Sequence, residues 1–297
     1  MGMEHVTDVS VGDWVRERVG DVRTIHRLVP GGFEAYARIL HPGERDRPVG
    51  ALWPDDDDRD AWEAFLAHPH RVEVEPVAWA EAAAALGRRL PPPHAWEALF
   101  EDMPRDAAGW RYSAPRTGSL AADLLTATAQ ALAPFSTASQ LYAGVWDGWG
   151  GLLGHLGFAP SAAAQSWADP RHADMLAASA IDRFNPRSDK PTWQRGTLSD
   201  EISRAPRLEL PERLHVLFRG ATDDFAEVEW AERVPWTQGD PTWTPSPSIL
   251  WPEDRTWFLA TDVDLAYTLV GGSEASVSAL LADTRLEARR AEPGASL

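Results

Sequence analysis

The residues of this chain best equipped for chemistry are carboxylates placed beside arginine and tryptophan. Residues 250–264 read LWPEDRTWFLATDVD, which sets Glu253, Asp254 and Arg255 directly after a Trp251-Pro252 corner, with Asp262 and Asp264 further along. Alternate positions of a strand share a face, so Asp262 and Asp264 could work as a carboxylate pair if the strand persists that far. General acid or base chemistry also needs a perturbed pKa, and acids at a strand end often do nothing but solvate it. A second corner, LWPDDDDRDAW at 52–62, carries Trp53. Residues 146–150 read WDGWG, a turn bearing Trp146, Asp147 and Trp149. Together these pieces predict a Trp-walled pocket between the two corners and the WDGWG turn, in which Asp147, Glu253 or Asp254 acts with Arg255 to orient a polar substrate.

Other signatures are incomplete. Gly148, Gly150 and Gly154 are spaced G-x-G-x-x-x-G, with a tryptophan where a backbone would have to approach a pyrophosphate, so a tight turn fits them better than a dinucleotide. His68 and His70 would share a face of an extended segment, but Pro69 between them fits a surface turn and no third ligand is suitably spaced for a metal. The four aspartates at 55–58 lack the glycine and terminal glutamate of a calcium loop and suit the start of a helix instead. The chain has no cysteine, and its one lysine is Lys190, which removes thiolate chemistry and leaves Schiff-base chemistry a single residue. No G-x-S-x-G nucleophile turn occurs. The expectation is no metal and no cofactor.

Charge narrows the partners. With 45 acidic against 28 basic residues, a formal net charge of −17 repels a phosphate backbone. Arginines are interleaved with acids, as in RERVGDVR, so no basic stripe is available and no nucleic-acid partner is expected. The same field would steer a basic protein toward the surface. The N-terminus has no signal-like pattern, and no apolar run reaches the roughly 20 residues that cross a bilayer, so the expected location is the cytoplasm, with no membrane partner. Fifteen tryptophans are the compositional outlier. Most fall at helix or strand spacing, but Trp193, Trp236 and Trp243 lie in irregular, proline-rich stretches and are candidates for an exposed interaction surface. The leading functional expectation is a non-enzymatic acidic binding or interaction protein, of inhibitor or immunity type. The alternative is an enzyme or small-molecule binder using the Trp-walled pocket.

The elements that must position these groups follow from periodicity. Residues 22–28 and 33–40 alternate around Pro30-Gly31-Gly32, which predicts an N-terminal hairpin, with a further short strand at 49–53. A helical section at about 55–133 follows, marked by Trp62, Phe65 and Leu66 at i, i+3 and i+4, by Trp96, Leu99 and Phe100, and by SLAADLLTATAQALA at 119–133. VEVEP, the run to Trp146, LHVLFRG and 257–261 read as strands, and Ser273 caps a final helix. Residues at about 160–211 show no sustained period and read as a long irregular segment. The fold class expected is α+β, a single domain over 1–297 whose mostly antiparallel sheet is assembled from distant parts of the chain around the inserted helical section.

The succession WPEDRTW, ATDVD and VGGS from Trp251 to Ser273, with WDGWG upstream, resembles a group of uncharacterised bacterial proteins carrying WPxDRxW, ATxxD and VGGS in the same order. The resemblance covers about a quarter of the chain. It implies a bacterial domain with a strand, turn and helix unit at its C-terminal end, and it implies no chemistry.

Overall fold

The computed structural model describes residues 2–20, 23–157, 192–237 and 239–297. Its strands are β1 (Glu4–His5), β2 (Ala35–Leu40), β3 (Gly43–Pro48), β4 (Val72–Val77), β5 (Arg111–Ser113), β6 (Gln140–Trp146), β7 (His155–Gly157), β8 (Thr192–Gln194), β9 (Leu208–Leu210), β10 (Arg213–Ala221), β11 (Ile249–Pro252), β12 (Phe258–Thr261), β13 (Tyr267–Gly272) and β14 (Ala288–Ala291). The α-helices are α1 (Asp13–Arg16), α2 (Arg59–Leu66), α3 (Trp79–Ala85), α4 (Glu97–Phe100), α5 (Ala122–Leu132), α6 (Asp200–Arg204), α7 (Trp230–Arg233) and α8 (Glu274–Ala282). The main sheet runs β1-β10-β6-β11-β12-β13-β2-β14, with β9 also on β10. A second sheet runs β4-β3-β5, and β7 pairs β8. Every pairing is antiparallel, so the α+β class with a mostly antiparallel sheet holds.

Both faces of the main sheet are covered, and strand alternation decides which residue goes where. Ala35, Ala37 and Ile39 of β2 join Leu141, Ala143 and Val145 of β6 under α5 and α8. Tyr36 and Leu40 face the other way, with Trp251, Phe258 and Tyr267, toward Trp14, Ile25 and Val29 of the N-terminal segment and Trp79, Phe100 and Tyr112 of the inserted section. A sheet buried on both sides needs apolar residues at successive positions, and β2, β11, β12 and β13 are buried along their whole length.

Two expected strands are replaced. Residues 25–27 form one 3-10 turn, capped by the Thr24 hydroxyl, and β2 pairs instead with β13 and β14 from the far end of the chain. Of the residues placed in that strand, Ile25 is buried and Leu28 partly so, beneath the sheet and not within it, as is the following Val29. The strand placed at 49–53 lies a few residues earlier, at the charged sequence GERDRP. Ion pairs hold that strand: across the sheet Arg45 bonds Glu75 at 2.8 Å, Arg47 bonds Glu73, and Asp46 takes both Nε and Nη2 of Arg111, while Arg45 also reaches Glu81 of α3 at 2.8 Å. Of the irregular segment at 160–211, residues 160–191 lie outside the described residues, and the remainder contains β8, α6 and β9.

The three-stranded sheet and its helices form a lobe on the main sheet, joined through Trp79. Its indole N–H donates to the His41 carbonyl at 2.6 Å, and its backbone N–H donates to Glu287 at 2.6 Å. Glu287 also accepts from Ala80, so a carboxylate more than 200 positions along the chain caps the N-terminus of α3, where Ala78 has no side chain to do so. Beneath this joint lies a buried polar chain. The Nδ1 of His41 is 2.9 Å from the Arg116 carbonyl, which can only accept, so Nδ1 carries the hydrogen. Burial lowers the ring's pKa to about 4, partly offset by that bond, and keeps it neutral. Nε2 must then accept from the Thr268 hydroxyl at 2.9 Å, which in turn accepts from Thr261 at 2.7 Å.

Candidate functional site

The predicted pocket does not close, because its parts lie at opposite ends of one strand. Asp147 directly follows β6, whereas Asp254 binds the residues that precede it. A seven-residue strand at about 3.3 Å per residue separates them by roughly 20 Å. In the WDGWG turn the Trp146 ring folds back over Gly148, where a Cβ would lie 2.1 Å from it, and meets Trp149 edge-on at 5.8 Å. The glycine is therefore demanded by packing, and the two tryptophans touch each other. Asp147 sits 3.7 Å from Arg207. Burial raises the Asp147 pKa, Arg207 pulls it back only in part, and burial likewise lowers that of Arg207. A raised carboxylate is the kind a general acid needs. Here its partner is committed elsewhere, since the Arg207 guanidinium also donates to the carbonyls of Ile202, Ser203 and Ala205 at the end of α6.

The corner at 251–255 is a structural clasp. Trp251 is buried, stacked between Tyr142 at 5.4 Å and Phe258 at 5.8 Å, so it belongs to the core and walls no pocket. Arg255 takes a left-handed conformation, φ 59°, and its N–H closes the turn onto Pro252. The side chains of Glu253 and Arg255 are exposed, and the Arg255 guanidinium is 5.4 Å from the Trp14 ring. Asp254 accepts from the Thr137 N–H at 2.8 Å and from the hydroxyls of Ser136 and Thr256 at 3.0 Å each. Burial acts to raise its pKa, but these donors together outweigh it and hold the carboxyl below its ordinary value.

The first corner builds a surface instead. Trp53 donates its indole N–H to the Asp46 carbonyl, and Arg111 lies 3.8 Å above its ring. Against it pack Trp62 at 6.0 Å and Phe65 at 5.4 Å from α2, and His70 stacks on Phe65 at 4.0 Å. Asp58 caps α2 by accepting the Ala61 N–H, as aspartates at a helix start should. No residue of α2 is buried, although its Trp62, Phe65 and Leu66 make a regular apolar face. Register places Val74 opposite Asp46 and Val72 opposite Pro48, on the face of β3 and β4 that carries Asp46, Arg111 and Trp53. Val72 and Val74 are exposed there, beyond His70, and Leu66 is 75% exposed. Six of the eleven exposed large apolar side chains among the described residues fall within the lobe, so the apolar surface is concentrated there. The same stretch exposes charges of both signs, Asp55, Asp57, Asp60 and Glu63 together with Arg59 and Arg71. β4 is an edge strand whose Glu73, Glu75 and Pro76 guard it against pairing.

The three tryptophans assigned to an interaction surface divide. Trp243 is 67% exposed, with Arg116 over its ring at 4.6 Å. Trp193 is half-buried, bonded to Asp200 at 2.7 Å and covered by Arg204 at 4.3 Å. Trp236 is fully buried against Phe218, its indole N–H on the Pro245 carbonyl, and residues 244–248 that follow it are themselves buried. His68 and His70 separate, the former 3.2 Å from the Ala64 carbonyl at the end of α2. Among the described residues no group of three or more His, Asp or Glu side chains could hold a metal ion, and no helix is long and apolar enough to cross a membrane. The sequence reading missed Leu66, Val72 and Val74 as surface residues; their signal was an amphipathic helix facing a strand with valines on one side and glutamates on the other. No family model, curated protein or solved structure matches the chain.

Proposed function

We propose that this chain is a binding protein that captures a basic, amphipathic segment of a protein partner on the α2 and β4 face of the lobe. The observation that carries the reading is the α2 face: Trp62, Phe65 and Leu66 are aligned for burial, and nothing in the described chain buries Leu66. The acidic excess of the whole chain, a net charge of −17, favours a basic partner and disfavours a second copy of the chain. Aromatic anchors inside a charged rim are the usual anatomy of an interface hot spot.

The test is binding of an amphipathic leucine-lysine helical peptide, followed by tryptophan fluorescence across a salt series, for the wild type and for Leu66→Glu. The substitution adds an acid to an acidic surface. Binding driven by charge alone would tighten, whereas binding through the apolar face weakens by about tenfold or more. Equal or tighter binding by Leu66→Glu refutes the reading. Concentration-dependent dimerisation of the wild type that Leu66→Glu abolishes would assign the face to a second copy and refute it too.

A further inference from the structure

The lobe runs from β3 to β5, and the chain enters it after β2 and leaves it ahead of α5. No strand of its sheet pairs with the main sheet. Among the described residues its ion pairs are internal: Arg45, Arg47, Arg105 and Arg111 each bind an acid of the lobe. Its ring contacts are internal too, and link Trp53, Trp62, Phe65 and His70. A unit whose charged and aromatic groups are turned on itself has few left to fix its orientation on a neighbour.

Among the described residues three hydrogen bonds tie the lobe to the rest of the chain, and all start at α3: Trp79 indole to the His41 carbonyl at 2.6 Å, Trp79 N–H to Glu287 at 2.6 Å, and Ala80 N–H to Glu287 at 3.1 Å. Most of the joint converges on His41. This residue lies where the chain enters the lobe, and its ring donates to the carbonyl of Arg116, where the chain leaves, at 2.9 Å. The other ring nitrogen is 2.9 Å from the Thr268 hydroxyl of β13. Both crossings, the lobe's anchor Trp79 and the main sheet therefore meet at one residue. Trp79 is fully buried, in the same core layer as Leu40, Ala266 and Tyr267.

To either side of this joint the lobe stands off the body. A cavity of about 270 Å³ lies between Gly43, Glu44 and Pro76 on one side and Ser119, Ala121 and Thr242 on the other. A second, of about 450 Å³, lies between Pro76, Val77 and Ala78 and the facing Asp123, Leu124 and Arg285. Pro42, Pro76 and Ala121 line both, so the two form one cleft. Hinges fall at a few loop or element-terminal residues, and His41 directly follows β2 while Arg116 lies between β5 and α5. Rotation about such a point strains few bonds and has open space to move into.

We propose that the lobe is a pivoting module that rocks as a rigid body about His41, latched in its present position by Glu287, so that one cavity of the cleft widens as the other narrows. Glu287 is the restraint that belongs to neither crossing, and its two oxygens hold the first two N–H groups of α3. The α2 face moves with the lobe, but the inference does not depend on what that face binds.

The chain has no cysteine, so introduced cysteine pairs can be spin-labelled and their separations measured by pulsed electron resonance. Glu63→Cys with Glu229→Cys spans lobe and body, and Glu63→Cys with Glu101→Cys lies within the lobe; all three positions are exposed. Adding Glu287→Ala should shift or broaden the lobe-to-body distribution by more than about 2 Å, the scale of a domain rearrangement, and leave the within-lobe distribution unchanged. Glu287→Gln, which keeps one acceptor oxygen, should give an intermediate change, and it decides the matter should Glu287→Ala fail to fold. A lobe-to-body distribution identical to that of the chain with Glu287 intact refutes the pivot. A within-lobe distribution that broadens to the same extent refutes it too, because the lobe would then be unravelling and not turning.

Discussion

Asp254 offers the sharpest test of whether the second acidic corner is architecture or chemistry. Its carboxylate ties the turn between α5 and β6 to the β11–β12 hairpin, two segments more than a hundred residues apart in sequence. Asp254→Ala removes one short bond to a backbone N–H, that of Thr137 at 2.8 Å, and two to hydroxyls at 3.0 Å. A hydrogen bond to a charged acceptor is worth about 1.5–3 kcal/mol when sheltered, but Asp254 is exposed and water competes, as at a helix cap where the loss is about 0.5–2 kcal/mol. Because the carboxylate spans two segments, about 2 kcal/mol is expected, a fall in Tm of about 3 °C for a chain of 297 residues. Asp254→Asn, which keeps one acceptor oxygen, should lose about half as much. The pH dependence fixes the mechanism. The native pKa lies below the unfolded value of 3.8, so the stabilisation is complete above that value and is lost as pH falls through the lowered native one. Urea unfolding of wild type and Asp254→Ala, measured from about pH 6 downward, should therefore converge in acid. A difference under about 0.5 kcal/mol near neutrality, or one that stays constant down to acid unfolding, refutes the reasoning.

Further outcomes follow from the core. His41 and His215 are held neutral with pKa values of about 4 against 6.5 in the unfolded chain, so stability should be full above pH 6.5 and fall toward pH 4. The slope should approach about 1.4 kcal/mol per pH unit for each ring, and flat urea midpoints between about pH 7 and 5 would contradict it. Thr268→Val removes the middle of the Thr261–Thr268–His41 chain and leaves two buried partners unpaired, which should cost about 1–3 kcal/mol in chemical denaturation, with Thr268→Ser close to wild type. Gly118 has φ 81°, and a Cβ there would lie 2.8 Å from Val263 Cα, so Gly118→Ala should destabilise by more than about 2 kcal/mol. Gly87→Ala, at φ 62° in open space, should cost roughly 1 kcal/mol.

Much of the fold was legible from local pattern. The alternation at 35–40 places Ala35, Ala37 and Ile39 on one face and Tyr36 and Leu40 on the other, as the two core layers have them. Ser273 caps the last helix through the Ser276 N–H, and α3 stops just before Gly87 in its left-handed conformation. These are effects within a few residues, where spacing and cap chemistry suffice. Pairing was not legible. Residues 22–28 read like a strand in part because Ile25 must be buried, and burial beneath a sheet leaves the same trace as burial within one.

The candidate sites show the same division. Residue types fixed in advance that Asp55–Asp58 would start a helix, that Gly148 sits in a tight turn, and that the surface would be strongly acidic. Whether Asp147 and Asp254 meet depends on strand direction, and β6 holds them apart. His41, Trp79, Arg116 and Glu287 come from separate segments and meet only because the inserted lobe seats α3 where β2, β13 and β14 adjoin. Local propensity is a property of neighbours in sequence, whereas a joint is made by neighbours in space. The sequence alone determined which groups this protein has to offer, and the long-range pairing of its sheet decided which of them face one another.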